Sequence, residues 1–193
     1  TPTPTPAPSL LPTPTPSSAS SVWFGQDPAK SGAGASSFVA NNIVGSAFVV
    51  SQNGVANSIT VEVVGDGTTS RAKALIYRAD TGAYVGETQE LMVASKTWGT
   101  RFTFNFAVQP ILVANTRYLL AFWTPAAWGI AYTWSGTSQI VGQTVTYGVS
   151  PQVIAARVMA SGYASIYCMY TPVQLATPTP TPAPSLLPTP TPS

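Results

Sequence analysis

The sequence predicts an all-β protein, a single antiparallel β-sandwich held between two extended proline-rich arms. Three observations point there. Runs of about five to nine residues rich in Val, Ile, Thr, Phe and Tyr recur through the centre of the chain, each closed by Gly, Asn, Asp or Pro. Two of these runs alternate strictly: Ile59, Val61 and Val63 share one face, as do Phe102, Phe104 and Phe106. No stretch carries the apolar period of an amphipathic helix, and a parallel sheet would need crossover helices.

Taken in order, Val22-Trp23-Phe24-Gly25 is the first apolar cluster and begins the domain. Residues Asp27 to Ser37 are rich in Gly, Ala and Ser and read as loop, with a short strand at Phe38 to Ala40. Ser46 to Ser51 is a strand closed by the Asn53-Gly54 turn signal. Asn57 to Val64 is a half-buried strand with Thr60 and Glu62 on its polar face. Lys73 to Ala79 follows and ends at Asp80-Thr81-Gly82. Tyr84 to Val93 is long and interrupted at Gly86, where a bulge is expected. Thr100 to Val108 carries the three phenylalanines, and Pro110 closes it. Thr116 to Trp123 is apolar on both faces, as a central strand between two layers is. Ile130 to Trp134, Gln139 to Tyr147, Val153 to Met159 and Tyr163 to Tyr170 complete ten or eleven strands. We expect an antiparallel sandwich of jelly-roll type, with an immunoglobulin-like sandwich lacking its disulfide as the alternative.

Part of this pattern resembles a known family. Ala72-Lys73-Ala74-Leu75-Ile76-Tyr77-Arg78-Ala79-Asp80 with its Gly turn, then Phe102-Thr103-Phe104, then Asn115-Thr116-Arg117-Tyr118-Leu119-Leu120-Ala121, is similar to jelly-roll modules of bacterial and archaeal surface and carbohydrate-active proteins. The likeness covers most of Phe48 to Trp123 and the final strand. It implies an extracellular accessory or repeat module, and it brings no catalytic residues with it.

The arms set the organisation of the chain. Residues 1–17 read TPTPTPAPSLLPTPTPS, and residues 177–193 repeat them letter for letter, a period of 176 residues from Thr1 to Thr177. The domain therefore occupies 18–172, with linkers at 1–17 and 173–193. Proline fixes φ and removes a donor, so Thr-Pro alternation favours extended polyproline II. At about 3.1 Å per residue each copy spans roughly 50 Å. Linkers drift in sequence, so two identical copies mark the chain as one unit, plus one extra linker, of a tandem array. Thr- and Pro-rich tracts are favoured sites of O-glycosylation in secreted proteins. The expected positions are Thr1, Thr3, Thr5, Thr13 and Thr15 with their copies Thr177, Thr179, Thr181, Thr189 and Thr191. The one apolar spot, Leu10-Leu11 and its copy Leu186-Leu187, reads as a docking point on a neighbouring surface.

Composition narrows the function further. Only 7% of residues are charged, against about 25% in ordinary soluble domains. The eight Lys and Arg are scattered, which argues against nucleic-acid binding. No apolar run is long enough to insert in a membrane, and no signal pattern is visible. An internal unit of a longer precursor would carry signal and anchor elsewhere. The absence of histidine removes the commonest general base and the commonest transition-metal ligand. The single cysteine, Cys168, lies in an alternating apolar run and reads as a buried hydrophobe.

The six carboxylates do not assemble into a catalytic pair. Glu87 and Glu90 are three apart and would face opposite sides of a regular strand. Asp66 and Asp80 sit in Gly turns, where Asp is expected for conformational reasons, and no calcium-loop spacing accompanies them. Ser95-Lys96 and Lys30-Ser31 are adjacent without a flanking motif. We therefore expect no enzyme activity, no cofactor and no metal. The most suggestive stretch is aromatic: Trp128, Tyr132 and Trp134, in which a loop indole precedes two rings on one strand face, could form a carbohydrate-binding platform. The opposing reading is that they are core or packing residues. The expected function is a structural unit of an extracellular or cell-surface tandem-repeat fibre, stalk or sheath, with neighbouring copies as partners. A carbohydrate-binding module tethered by Thr-Pro linkers, with a polysaccharide partner, is the alternative.

Overall fold

A computed structural model of the chain describes residues 20–27, 34–37, 40–94, 99–133 and 138–173. Fifteen strands form among them: β1 Val22–Gly25, β2 Gly34–Ser37, β3 Asn42–Val49, β4 Gly54–Val64, β5 Thr69–Arg78, β6 Tyr84–Glu87, β7 Leu91–Ala94, β8 Thr100–Asn105, β9 Ile111–Leu112, β10 Arg117–Trp123, β11 Gly129–Thr133, β12 Gln139–Thr144, β13 Arg157–Ser161, β14 Tyr163–Ala164 and β15 Ile166–Pro172. All pairings are antiparallel, and the strands fall into two sheets. The all-β sandwich expected from the alternation is therefore present.

The first sheet runs β1-β15-β4-β11-β14, with β8 and β9 on β4 and β2 on β11. The second runs β13-β12-β3-β10-β5-β6, with β7 also on β5. Between them lies the main core. Ile59, Val61 and Val63 of β4 and Phe104 of β8 meet Tyr118, Leu120 and Phe122 of β10 and Ala74 and Ile76 of β5. Phe104 and Phe122 pack with centroids 6.1 Å apart across the layers. Burying side chains of this size is the dominant stabilising term of the fold.

The other face of β10 is apolar too, and it is covered by the chain itself. Ile43, Leu75, Tyr77, Leu119, Ala121, Trp123 and Ile154 form a second buried cluster on the outside of the second sheet. Residues 145–156 lie over it. The Val145 amide donates to the Asn41 carbonyl at 2.7 Å, the Tyr84 amide to Gln152 at 2.8 Å, and the Ile154 amide to Gly82 at 3.0 Å. Gly82, at φ +70°, closes the β5–β6 turn so tightly against this segment that a Cβ there would stand 2.0 Å from the Ile154 carbonyl oxygen.

Several boundaries depart from the sequence reading. Residues 34–37, expected as loop, form β2, because pairing with Gly129 to Tyr132 of β11 uses backbone groups and needs no strand-forming side chains. Val153 and Ile154 do not begin a strand: Val153 makes one isolated bridge to Ala83, and the pairing to β12 starts at Arg157. The break near Gly86 is a register shift in which Tyr77 faces Tyr84 and Ile76 faces Gly86, leaving Val85 as the extra residue. Phe38, Trp98, Trp134 and both Ser-Lys neighbours lie outside the described residues.

β1 and β15 position the ends of the domain. Val22 pairs with Tyr170 and Gly25 with Tyr167. The start of β1 therefore sits beside the end of β15, and Ser20 and Val173 leave the sandwich at one pole.

Candidate functional site

Three places on the molecule gather chemistry-bearing side chains. The first is the aromatic stretch after β10. Trp128 precedes β11 and is 2% exposed, packed in the main core. Its indole nitrogen donates to Asp66 Oδ1 at 3.1 Å. Asp66 also accepts from the Thr68 amide at 3.0 Å and the Thr68 hydroxyl at 2.5 Å, so the β4–β5 turn carboxylate anchors a core tryptophan. The Thr68 bonds, with the Trp128 bond adding to them, hold the Asp66 carboxyl below its usual range. Trp128 thus presents no ring face to solvent, which corrects its reading as a platform residue. An indole in a loop with an apolar body and one donor is satisfied by burial next to a carboxylate. Tyr132 is half-buried, packed against the same core beside Gly162. Trp134 lies outside the described residues, as do the expected glycosylation positions Thr1 to Thr15 and Thr177 to Thr191 and the leucines Leu10, Leu11, Leu186 and Leu187.

The second place lies under the covering segment and gathers Arg71, Lys73, Glu87 and Glu90. Lys73 points outward from β5 between Ala72 and Ala74, which point inward, and is itself buried. Its ammonium donates to Glu87 Oε2 at 2.8 Å and to the Gly148 carbonyl at 2.8 Å. It stands 5.0 Å from the Trp123 ring centroid and 5.7 Å from that of Tyr147. The Ser150 hydroxyl donates to the same Glu87 oxygen. Alongside, Tyr147 donates to Glu90 Oε2 at 2.8 Å, and Arg71 reaches Glu90 at 3.9 Å. The Trp123 indole donates to the Val145 carbonyl at 3.1 Å. Glu87 and Glu90 thus lie at one site, with separate partners. Burial pushes the Glu87 carboxyl up, but the bonds from Lys73 and Ser150 and the Lys73 charge together bring it below its ordinary value.

A serine, a lysine and a glutamate around one oxygen invite a catalytic reading. The geometry is that of a clasp. Lys73 is engaged by two acceptors and two rings, and Ser150 is buried with its hydroxyl directed at the carboxylate. The contacts to Tyr147, Gly148 and Ser150 tie residues 145–150 to β5 and β6. Sequence reasoning missed the clasp because the partners that Lys73 hydrogen-bonds lie 14 and 75 residues away from it. The available signal was a lysine within the apolar run from Ala72 to Tyr77. Among the described residues, no group of three or more Cys, Asp or Glu stands close enough to hold a metal ion.

The third place is on the open face of the first sheet. Trp23 of β1 is 50% exposed, and its ring stands 5.9 Å from that of Tyr167 at an interplanar angle of 66°. Met169 lies directly across from Trp23 in the β1–β15 register, and Asp27 stands at the rim of the cleft they line. Trp23 faces outward because its neighbour Phe24 faces the core against Tyr170 and Tyr118. On the same face, Thr60 and Thr103 share a hydroxyl bond at 2.8 Å. No protein-family model matches the chain, and no curated protein matches it either.

Proposed function

We propose that this chain is a non-enzymatic structural unit of an extracellular tandem-repeat fibre, stalk or sheath, with O-glycosylated Thr-Pro linkers and neighbouring copies as its partners. The observation that carries this reading is the pairing of β1 with β15, read together with the two identical linkers. Val22 opposite Tyr170 makes the chain enter and leave at one pole. An array of such units hangs each domain from a proline-rich stem by a single attachment, and the stem never has to thread a domain. The low charge and the use of Lys73, Glu87 and Ser150 to clamp a covering segment also support a role resting on packing.

We read the sandwich as being of jelly-roll type. In support, the chain changes sheet at each of β3 to β4, β4 to β5, β9 to β10, β10 to β11 and β11 to β12. An immunoglobulin-like sandwich would keep several of its successive strands as hairpins within one sheet. The carbohydrate-binding alternative loses support from Trp128, whose ring is enclosed.

Removal of residues 177–193 from between the units of a multi-unit chain tests the proposal. Loss of ordered assembly is the expected result. Unchanged assembly would refute the structural role of the linker.

A further inference from the structure

The open face of the first sheet carries an aromatic cleft, and the chain itself contains a segment of matching chemistry. We propose that the proline-rich linker of a second copy of this chain seats in the cleft between Trp23, Tyr167 and Met169, through its central Leu-Leu and flanking prolines. The proposal rests on the tandem-repeat reading above and adds a site and a ligand class to it.

The shape of the cleft comes first. Trp23 and Tyr167 meet at 66°, so they form a notch and not a flat shelf. The notch encloses about 140 Å³. Small-molecule pockets usually measure roughly 300–1,000 Å³, so this one is of a size for one or two side chains. Sugar platforms present ring faces lying parallel to the surface, whereas proline-rich ligands lodge between upright aromatic rings. Among the described residues Trp23 is the one aromatic side chain left half in water. Trp123, Trp128, Phe104 and Tyr170, by contrast, are enclosed by the domain's own packing.

The segment comes second. A polyproline II ligand is already extended, so seating it costs little conformational entropy. Each linker copy has a centre of distinct chemistry: Pro8-Ser9-Leu10-Leu11-Pro12 and Pro184-Ser185-Leu186-Leu187-Pro188 contain no threonine, between arms that alternate Thr and Pro. Glycans on the threonines would therefore leave this apolar centre bare.

Geometry selects a second copy over the linker of the same unit. Both chain ends leave beyond the Val22–Tyr170 pair, while the cleft lies further along the two strands at Trp23, Met169 and Tyr167. A linker returning to its own cleft would have to reverse direction within the few proline-free residues, 17–21 or 173–176, that join it to the strands, because Thr-Pro alternation opposes a turn. A stem from another copy can cross the cleft without turning. The same contact, repeated, would lace neighbouring stems and domains together.

The test uses the whole 193-residue chain and the synthetic peptide TPTPTPAPSLLPTPTPS, with a photo-reactive benzophenone residue in place of its alanine, in excess over the chain's own linkers. Cross-links mapped by mass spectrometry are expected on residues 23–27 and 167–169. Trp23→Ala should reduce their yield at least tenfold, and Val149→Ala, on a distant exposed residue, should not change it. The same benzophenone-bearing peptide with both leucines replaced by serine leaves the protein untouched and should lose the cross-links equally. Cross-links elsewhere, or a yield indifferent to Trp23→Ala and to the serine peptide, would overturn the proposal. So would retention of a polysaccharide that depends on Trp23 while peptide capture does not. Ordered native filaments alongside a failed cross-link would refute the docking site alone and leave the structural reading standing.

Discussion

The outer faces of the two sheets treat aromatic side chains in opposite ways. On the second sheet, Trp123 and Tyr77 face away from the main core and are nonetheless completely buried, because residues 145–156 fold back over them. On the first sheet, Trp23 also faces away from the core, and half of it remains in water. The same strand geometry thus yields core in one place and open surface in the other. What separates them, among the described residues, is whether the chain supplies its own cover. The second sheet invests a buried lysine, two carboxylates and a serine in keeping that cover shut. Where no covering segment lies among the described residues, an exposed aromatic notch marks a place for something else to sit.

Substitutions can break this comparison, and the largest effect belongs to the covered side. Trp123→Ala should cost about 3–5 kcal/mol in denaturant unfolding, since it empties a fully buried site and releases the Val145 carbonyl. Trp23→Ala, by contrast, should change stability by less than about 1 kcal/mol while abolishing linker capture. Equal losses at the two tryptophans would show that the two faces are not different in kind.

Next in size is the clasp. Lys73→Ala leaves Glu87 and the Gly148 carbonyl without their cation. Glu87 keeps some access to water, so the loss should be about 1–3 kcal/mol, below the cost of breaking a fully enclosed pair. Limited proteolysis should then cut within residues 145–156 faster than in the parent chain, because local opening of the cover becomes easier.

Acid should reproduce a weaker form of the same defect. The Glu87 carboxyl is lower in the folded protein than its ordinary value of 4.5, so its stabilising contribution is present above that value and is lost as pH falls through the lower, folded one. Thermal melts should therefore show stability declining below about pH 4.5. Glu87→Gln should flatten that part of the profile, and an unflattened profile would assign the acid sensitivity to other carboxylates.

The smallest expected effect is none at all. Cys168 is fully buried on β15, and burial pushes its thiol up. The native chain should resist maleimide at pH 8 and react only after unfolding. Labelling of the folded chain would contradict the burial of β15 against the core.

Much of the fold was legible in the sequence where one residue type repeats with the period of a strand. Phe102, Phe104 and Phe106, and Ile59, Val61 and Val63, turn toward the core as their alternation requires. Thr116 to Trp123, apolar on both sides, became the central strand β10, paired with β3 and β5. The alternation fails where the deciding contact is distant in sequence. β2 owes its strand geometry to β11, nearly a hundred residues later, and its Gly-Ala-Ser composition carries no strand signal. The covering segment looked like the end of one strand and the start of another because Val145, Tyr147, Val153 and Ile154 are apolar for a different reason: they cap the Leu75–Trp123 cluster or edge the β5–β6 turn. For the aromatic residues, composition drew attention to Trp128, which Asp66 holds inside. Among the described residues the exposed ring was Trp23, and the alternation with Phe24 in Val22-Trp23-Phe24 was the local clue to it.

Electron microscopy of the native, undigested assembly tests the structural reading most directly. The account predicts ordered filaments with a constant axial repeat, domains set to one side of a continuous stem by a single pole, and linker density crossing the Trp23 face of an adjacent unit. Separate beads at irregular spacing, joined by linkers that touch no neighbouring domain, would contradict it.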